Sequence, residues 1–445
     1  MHEQVIPLLS ENILCDHCLG RQFALLGYGL TNDQRGQILK DAAMLALYDK
    51  IDKNEEALEG MHNAALMGNK LAINSLKRKD KTIPSSEEAE CELCEGIFNR
   101  LDIYVEEITS KLAKEEYDSY LIGAKFFPEL LEREDMLRAK YGITTGESIK
   151  SEFTREVGKS VGEIINKPVD FKLPDITIII DLPNQKITLQ RRALYIYGRY
   201  RKLIRTIPQT KWPCSACQGE GCEECNQTGK LYQESVEEII AEPILEVTKG
   251  EESKFHGAGR EDIDALMIGN GRPFVIEILE PQKRSINLEK IEQAINQRET
   301  KKIEVEQLAF SDKETIHLLK EKATETRKTY RAKVELEKEI TKEQIQQLEE
   351  KLTGAEIHQQ TPQRVLHRRG DKTRTRRVYE INVRQTGPKE LEAEVTTEGG
   401  LYIKELISSD EGRTEPSFTS ILGVQATCQQ LDVIKFHRIH KNREH

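Results

Sequence analysis

Eight of the nine cysteines of the chain fall in four C-x2-C pairs, and this spacing restricts the fold more than any other feature. Four thiolates at such spacing are typical ligands of structural zinc. We therefore predict two zinc sites, with buried free thiols as the alternative. The first site joins two pairs across residues 19–90, and the second is a compact knuckle. The predicted ligands are Cys15, Cys18, Cys91 and Cys94 for the first, and Cys214, Cys217, Cys222 and Cys225 for the second.

Length and composition indicate a charge-rich protein of about three domains, on a prior of about 150 residues per domain. No window approaches eighteen apolar residues, so no membrane span is expected. The first ten residues lack the basic and apolar regions of an export signal. We therefore expect a cytoplasmic protein, in which paired thiols bind zinc and do not form disulfides. The sequence indicates no obligatory protein partner.

Two basic segments are candidates for RNA binding in a chain whose net charge is −10. The segment from Arg191 to Arg205 interleaves arginines with tyrosines, which suits phosphates and bases; Arg199 and Arg201 are its candidates. A strand with one solvated face is the alternative. The second segment is an arginine run, for which a solvated face is again the alternative. Its candidates are Arg364, Arg368, Arg369, Arg374 and Arg376.

The stretch from Gly257 to Phe274 is the candidate catalytic segment. It carries Asp262 and Asp264 between glycine-rich turns, and Arg260 and Arg272 bracket the two carboxylates. We predict a loop here, followed by a buried strand at 275–279, because glycine adopts backbone angles that are closed to other residues. The alternative is that both aspartates only cap turns.

Alternating strand and helix patterns predict an α+β fold. Strands are expected at 175–182, 303–310 and 329–336, and helices at 32–51, 55–77, 288–297 and 341–352. In the strand at 329–336, Tyr330 and every second residue after it form one apolar face. On this pattern alone, Tyr330 is a core residue.

Several long motifs, taken together, resemble the archaeal branch of the Pus ten family of tRNA pseudouridine synthases. They are GREDID with GNGRPF, KTYRAKV, QQTPQRVLHRR, GLYIKELISSDEGRTEPS and IYGRYRKLIRTIPQTKWPC. The resemblance implies an isomerase that converts uridine to pseudouridine in the T-loop of tRNA, at position 55 and possibly also 54. It implies a pseudouridine synthase domain with a mixed or antiparallel sheet. The expected domains are a zinc-binding helical segment at 1–100, a THUMP-type RNA-binding module at 85–207, a cysteine knuckle at 208–230 and the catalytic domain at 231–445.

The same resemblance implies roles for individual residues. Asp262 corresponds to the catalytic aspartate, which in that superfamily lies two residues after an arginine, here Arg260. Tyr330 corresponds to the tyrosine of the K-x-Y motif. The Y-I-K segment implies Tyr402 in the substrate pocket and the cation of Lys404 beside the nucleophile. We expect Lys404 and Arg260 to keep Asp262 charged. The expected substrate-binding residues are Tyr330, as a platform for the target base, with Tyr402, Lys404 and Arg260. Leu266 departs from the family pattern, which has arginine at that position.

The chemistry of this isomerisation fits a chain without a cofactor motif. The glycosidic C–N bond breaks and a C–C bond forms to the same sugar, so neither a redox partner nor a group donor is needed. A carboxylate acts either as nucleophile or as base, and Asp264 is the second candidate for that role. Other candidate functions are a THUMP-containing methyltransferase or thiolation enzyme, and a zinc-dependent tRNA-binding or tRNA-folding protein without catalysis. We expect zinc as a structural metal, no organic cofactor and tRNA as partner.

Overall fold

The computed structural model describes residues 2–85, 89–298 and 300–437, apart from the side chains of His2, Glu3, Thr324 and Arg368. The chain divides into two units, Met1–Arg192 and Ala193–His445. Within the described ranges, every helix is too short or too polar to cross a membrane.

The first unit consists of helices around a small sheet. The sheet has the order β1-β2-β3, with β1 parallel to β2 and β3 antiparallel to β2. Gly68 adopts a left-handed φ of 75° and divides the helix expected at 55–77 into α4 and α5. The elements are α1 (His2–Glu11), α2 (Asp16–Arg21), α3 (Asn32–Leu47), α4 (Glu55–Leu66), α5 (Lys70–Arg78), α6 (Leu101–Leu112), β1 (Tyr120–Lys125), α7 (Pro128–Tyr141), α8 (Ile149–Ile165), β2 (Ile176–Asp181) and β3 (Lys186–Arg191).

Helices α2 and α3 meet backbone to backbone at two glycines. A Cβ atom on Gly20 would lie 1.7 Å from the carbonyl oxygen of Asn32, and one on Gly36 would lie 1.9 Å from that of Asp16. Only glycine permits this approach. The contact fixes α2, which carries the first cysteine pair.

The second unit is organised around one ten-stranded sheet. The strand order is β12-β9-β10-β11-β8-β13-β6-β4-β7, and β5 also pairs with β6. The elements are β4 (Leu194–Lys202), α9 (Val236–Thr248), β5 (Glu252–Gly257), β6 (Leu266–Leu279), α10 (Leu288–Asn296), β7 (Ile303–Ser311), α11 (Lys313–Glu325), β8 (Lys328–Leu336), α12 (Lys342–Leu352), β9 (Glu356–Gln359), β10 (Arg374–Gly387), β11 (Glu390–Thr397), α13 (Ile403–Ser408), β12 (Thr414–Glu415), α14 (Phe418–Leu422) and β13 (Ala426–Phe436).

The sheet is mixed, because β6 and β13 run parallel while the other described pairs of this sheet are antiparallel. This confirms the predicted α+β class. The alternation predicted for β8 is also confirmed: Ala332, Val334 and Leu336 are buried, whereas Lys333 and Glu335 are exposed.

The prediction of one long loop from Gly257 to Phe274 is wrong. Only residues 258–265 form a loop, and β6 already begins at Leu266. Gly269 and Gly271 have φ angles of 64° and 66°, and a Cβ atom on Gly269 would lie 1.8 Å from the carbonyl oxygen of Ile434. These glycines therefore permit an irregular strand to pass close to its neighbours. Glycine within a strand commonly marks such a bulge or close backbone approach.

The boundary between the units also differs from the expected one. Strand β4 lies inside the expected range 85–207 of the RNA-binding module, yet it pairs with β6 and β7 of the second unit. Its buried residues Ile196 and Tyr200 belong to the core of that unit. The basic segment from Arg191 to Arg205 is therefore largely an internal strand of the sheet.

Candidate active site

Asp262 lies in the short loop between β5 and β6, between two cations from distant segments. Its carboxylate is 3.2 Å from the guanidinium of Arg364 and 3.6 Å from the ammonium of Lys404. The two cations compensate the charge of Asp262. Its side chain is 31% exposed, so the carboxylate is also accessible. Arg364 lies in a 3-10 helix at 363–368 and Lys404 in the first turn of α13.

Arg364 links Asp262 to a buried glutamate. Its Nε atom donates a hydrogen bond of 2.6 Å to Glu405, whose side chain is only 5% exposed. Burial alone would lower the pKa of Arg364, but the bond to Glu405 and the charge of Asp262 raise it above its ordinary value. The arginine is thus held as a fixed cation.

Asp264 occupies a more open position on the same loop. Its side chain is 66% exposed, and Lys404 donates to both of its carboxylate oxygens, at 2.9 and 2.7 Å. Partial burial raises the pKa of Asp264, but the hydrogen bond and charge of Lys404 outweigh burial and lower it. Lys404 therefore binds Asp264 more closely than Asp262.

A cavity of about 260 Å³ opens beside Asp262, and we call it the aspartate cavity. Tyr330 and Tyr402 line it, together with Arg364, Arg369 and Lys404. The cavity thus combines aromatic rings with cations around one carboxylate.

The two tyrosines of this cavity have different surroundings. Burial raises the pKa of Tyr330 to about 12, so the hydroxyl is protonated at neutral pH. Tyr402 accepts a hydrogen bond of 2.5 Å from Arg369, and its ring centre lies 5.8 Å from the guanidinium carbon of Arg364. Lys404, Tyr402 and Tyr330 are therefore brought together around Asp262, as the motifs predict. Arg260 also lines the cavity, while its guanidinium lies 5.5 Å from the ring centre of Trp212.

A buried ionic layer lies directly under the loop at 258–265, which carries Asp262 and which we call the aspartate loop. Arg272 is 2.8 Å from Glu261, and both side chains are at most 2% exposed. Tyr200 donates to Glu261, and Gln209 donates to Tyr200 and to the carbonyl oxygen of Gly259. Burial raises the pKa of Tyr200 well above its usual range, so its hydroxyl remains a donor. The layer satisfies its charges internally.

Lys202 supports the aspartate loop by donating to backbone carbonyl groups of that loop. This fully buried lysine donates to the carbonyl oxygens of Ile207, Asp262 and Ile263, at 3.1, 3.1 and 3.0 Å. Three acceptors match the three donors of an ammonium group. Burial lowers the pKa of Lys202, although the charge of Glu261 opposes this.

Lys328 is a second buried lysine, at the wall of the aspartate cavity. It is 5% exposed and donates to the carbonyl oxygen of Ala323 at 3.3 Å. Burial, reinforced by the charge of Arg272, lowers its pKa to about 7.

The arginine predictions have mixed outcomes. The structure contradicts an RNA contact for Arg199, which is 9% exposed and donates to the carbonyl oxygens of Asn270 and Gly271. Arg201 pairs with Glu304 at 2.9 Å on the adjacent strand. The reason is that β4 is an internal strand, so its basic side chains hold neighbouring strands.

Within the arginine run, only part of the segment faces outward. Arg369 is exposed, Arg374 donates to Thr361 at 3.0 Å, and Arg376 pairs with Glu398 at 3.4 Å. The side chain of Arg368 lies outside the described part of the chain.

The first four cysteines meet in the first unit. All four sulfur atoms lie within 4.8 Å of one another, and those of Cys15 and Cys94 are 3.7 Å apart. The fully buried Arg21 donates to Cys18 at 2.8 Å. A buried cation beside the thiols fits thiolate ligands, whose negative charge it offsets. The donor set therefore could hold a metal ion.

The other four cysteines form a compact knuckle in the second unit. Their sulfur atoms also lie within 4.8 Å of one another. Backbone N–H groups of Gly221, Cys222 and Gly229 each donate to a sulfur atom at 3.2 Å. Such donors stabilise thiolates and orient metal ligands. This group, too, could hold a metal ion.

Sequence patterns missed part of the site. No local pattern indicated Glu405, Glu261, Lys202 and Lys328, because a single charged residue in a helix, loop or strand carries no local signal. A charged residue on the apolar side of a strand, such as Lys202 among the buried residues of β4, could have indicated burial.

The sequence matches decide the family. Residues 195–437 match the family model described as Pus10, C-terminal, and residues 104–181 match the archaeal Pus10 THUMP domain. The chain belongs to the Pus10 family. A relative named tRNA pseudouridine synthase Pus10, from Methanocaldococcus jannaschii, is 44% identical over 97% of this chain and 93% of its own length. Another of that name, from Methanopyrus kandleri, is 39% identical over 95% of each.

Similarity to solved structures is low. A Cbf5-Nop10-Gar1 complex is 20% identical and covers 54% of this chain and 48% of that chain, with a TM-score of 0.29. Pus10 family membership therefore rests on the sequence matches. These matches confirm a THUMP domain, although its match ends at residue 181 and not at 207.

Proposed function

We propose that this chain isomerises uridine to pseudouridine in the T-loop of tRNA, with Asp262 as the catalytic carboxylate. The coarser activity, that of a tRNA pseudouridine synthase, follows from membership of the Pus10 family. One observation carries the finer proposal: Asp262 lies between two cations at the wall of a cavity that also contains two tyrosines. Position 55, possibly with 54, is the site that the family resemblance implies.

The residues around the aspartate cavity have different roles in the proposed reaction. The target base must leave its stack, at a cost of a few kcal/mol. Stacking on an aromatic side chain such as Tyr330 offsets about 1–3 kcal/mol of this cost. Asp262 then attacks the sugar or abstracts a proton from it, while the C–N bond breaks. After the base turns, the C–C bond forms while the bond between Asp262 and the sugar breaks, or while the abstracted proton returns to the sugar. Carbon 5 then loses its proton and nitrogen 1 gains one, so no electrons are exchanged with a donor.

The arginine run supports binding of an RNA backbone. Arg369 and Arg364 project to the aspartate cavity, where phosphates flanking a flipped nucleotide would lie. Since Arg364 also touches Asp262, RNA bound here would contact the same cation that compensates the catalytic carboxylate. The THUMP domain supports the same partner.

The proposal is tested with purified protein and an unmodified tRNA transcript, without any donor molecule. We expect pseudouridine at position 55. We expect Asp262→Ala to abolish the product and to retain tRNA binding, whereas Asp264→Ala retains turnover. Product that requires a methyl or sulfur donor would favour the other THUMP-containing enzymes, and tRNA binding without any product would favour a binding protein.

We also propose that both cysteine groups bind structural zinc. The four convergent sulfur atoms of each group support a tetrahedral thiolate site. Elemental analysis is expected to find two zinc ions per chain. Replacing Cys91 or Cys222 by Ser should each remove one, whereas Cys428→Ser serves as the matched control and should leave two. Full zinc content in either ligand variant would contradict the assignment.

A further inference from the structure

A second cavity also adjoins the aspartate loop. It has a volume of about 480 Å³, and we call it the tryptophan cavity, because Trp212 lines it. Its volume falls within the range of about 300–1,000 Å³ that is usual for ligand sites. Arg260, Glu261, Asp262, Arg364 and Lys404 line both cavities. The aspartate loop therefore forms part of the wall of both cavities.

The tryptophan cavity presents aromatic rings beside cations. Trp212 and Tyr232 pack edge to face, with ring centres 5.6 Å apart and an interplanar angle of 76°. The guanidinium of Arg260 lies 5.5 Å from the centre of the Trp212 ring. Arg205 also lines the cavity and donates to the carbonyl oxygen of Asp264 at 3.0 Å. Aromatic rings with arginines are the usual elements that bind unstacked nucleotides.

The cysteine knuckle holds the two rings in place. Trp212 and Tyr232 flank the knuckle, whose ends are joined by a bridge between Pro213 and Lys230. The backbone N–H of Leu231 donates to the carbonyl oxygen of Trp212 at 3.0 Å. Ordering the knuckle therefore orders both aromatic residues, which are both partly buried.

We propose that the tryptophan cavity binds one unstacked base of the RNA substrate, close to the uridine that enters the aspartate cavity. The proposal rests on the proposed function. Among the residues that line this cavity, Asp262 and Asp264 are paired with Arg364 and Lys404, and Arg205 is paired with Asp432. The two aromatic rings are therefore the contacts that the cavity offers to an uncharged base. The backbone phosphate of that nucleotide remains outside, near Arg260. Two nucleotides are then held beside one loop.

Trp212 is the only tryptophan of the chain, so its fluorescence reports directly on this cavity. Titration of the protein with an unmodified tRNA transcript should quench the emission, with a Kd equal to that from filter binding. The catalytically inactive Asp262→Asn variant should show the same quenching, because stacking precedes turnover. Uridine monophosphate at the same concentrations should leave the emission unchanged. Emission that is insensitive to saturating tRNA, or equal quenching by the mononucleotide, would overturn the proposal.

Substitution of Trp212 provides the second arm. Trp212→Ala should raise KM for tRNA about tenfold, because it removes one stacking contact. Trp212→Phe keeps an aromatic ring and should stay within about twofold of the parent, while zinc content and the thermal unfolding temperature show that each variant is folded. Equal KM values for the Ala and Phe variants would overturn the base-binding role. A parent that produces no pseudouridine but shows tRNA-dependent quenching would instead remove only the proposed function.

Discussion

The two sides of the aspartate loop differ in how their charged side chains are exposed and paired. Below the loop, Glu261 and Arg272 are paired and at most 2% exposed. Above it, Asp262, Arg364 and Lys404 are 25–37% exposed and share their contacts. Glu261 and Asp262 are consecutive residues, so a single peptide unit separates the buried layer from the open one.

This difference in exposure gives the two layers different roles. Ions buried without water must be fully paired, and such pairs respond strongly to the loss of one partner. Ion pairs near solvent are weak and can be rearranged by a charged ligand. The buried layer therefore holds the loop, and the open layer can exchange its partners with RNA.

The largest expected effect concerns the buried layer. Arg272→Met leaves the charge of Glu261 buried and uncompensated, so we expect a loss of about 3–5 kcal/mol in the free energy of unfolding. Urea denaturation measures it. Arg201→Met, which breaks the more exposed pair with Glu304, is the control and should cost at most about 1 kcal/mol. Equal losses would remove the distinction between the two layers.

A smaller effect is expected for Lys202, which supports the loop backbone from below. Lys202→Met should lower kcat about 10- to 100-fold, because a shift of the loop misplaces Asp262, while the Kd for tRNA stays unchanged. Lys254→Met, at an exposed position of strand β5 in the same sheet, is the control and should retain the kcat of the parent. A kcat unchanged by Lys202→Met would show that the three carbonyl contacts do not position the carboxylate.

The pH dependence of stability tests the buried lysine at the aspartate cavity. Lys328 has a pKa of about 7 in the folded chain, against 10.5 ordinarily. Below pH 7, Lys328 is charged in the folded and in the unfolded chain, so folding bears the full free-energy cost of burying the charge. Above pH 7, the lysine of the folded chain loses its proton, and this cost falls. Between pH 7 and 9, the free energy of unfolding of the parent should therefore rise by on the order of 1 kcal/mol relative to Lys328→Met. Parallel pH profiles in chemical denaturation would contradict this burial.

The smallest effect is expected for the outer carboxylate. Asp264→Asn removes one exposed partner of Lys404, which keeps its contact with Asp262. We expect kcat/KM to change less than about fivefold, in line with pairs near solvent. Steady-state kinetics on a tRNA transcript measures it. A loss comparable to that of an Asp262 variant would make Asp264 the catalytic residue instead.

Much of the fold could be predicted from the sequence, because regular elements leave periodic patterns. The alternation after Tyr330 gave β8, and the four C-x2-C pairs predicted two clusters that the structure brings together. The glycines at 269 and 271 were misleading, since glycine suits both a loop and an irregular strand. Only the neighbouring backbone distinguishes these two uses.

The candidate site could be predicted only in part. Motif order identified Asp262, Tyr402 and Lys404, which do meet at one cavity. The sequence did not reveal that Arg364 would touch Asp262, because the two residues are distant in the chain. Nor did it reveal that Arg199 would be buried, since a basic strand with neighbours on both sides can have the same composition as an exposed one.

The catalytic role of Asp262 is tested by comparing the two consecutive carboxylates, Glu261 and Asp262, in single-turnover reactions on saturating tRNA. Asp262→Asn should lower the rate of pseudouridine formation at least about a thousandfold, with the Kd for tRNA and the free energy of unfolding close to the parent. Glu261→Gln should lower the free energy of unfolding and retain product formation in the folded fraction. Pseudouridine formed at the parental rate by Asp262→Asn would show that Asp262 is not the catalytic carboxylate.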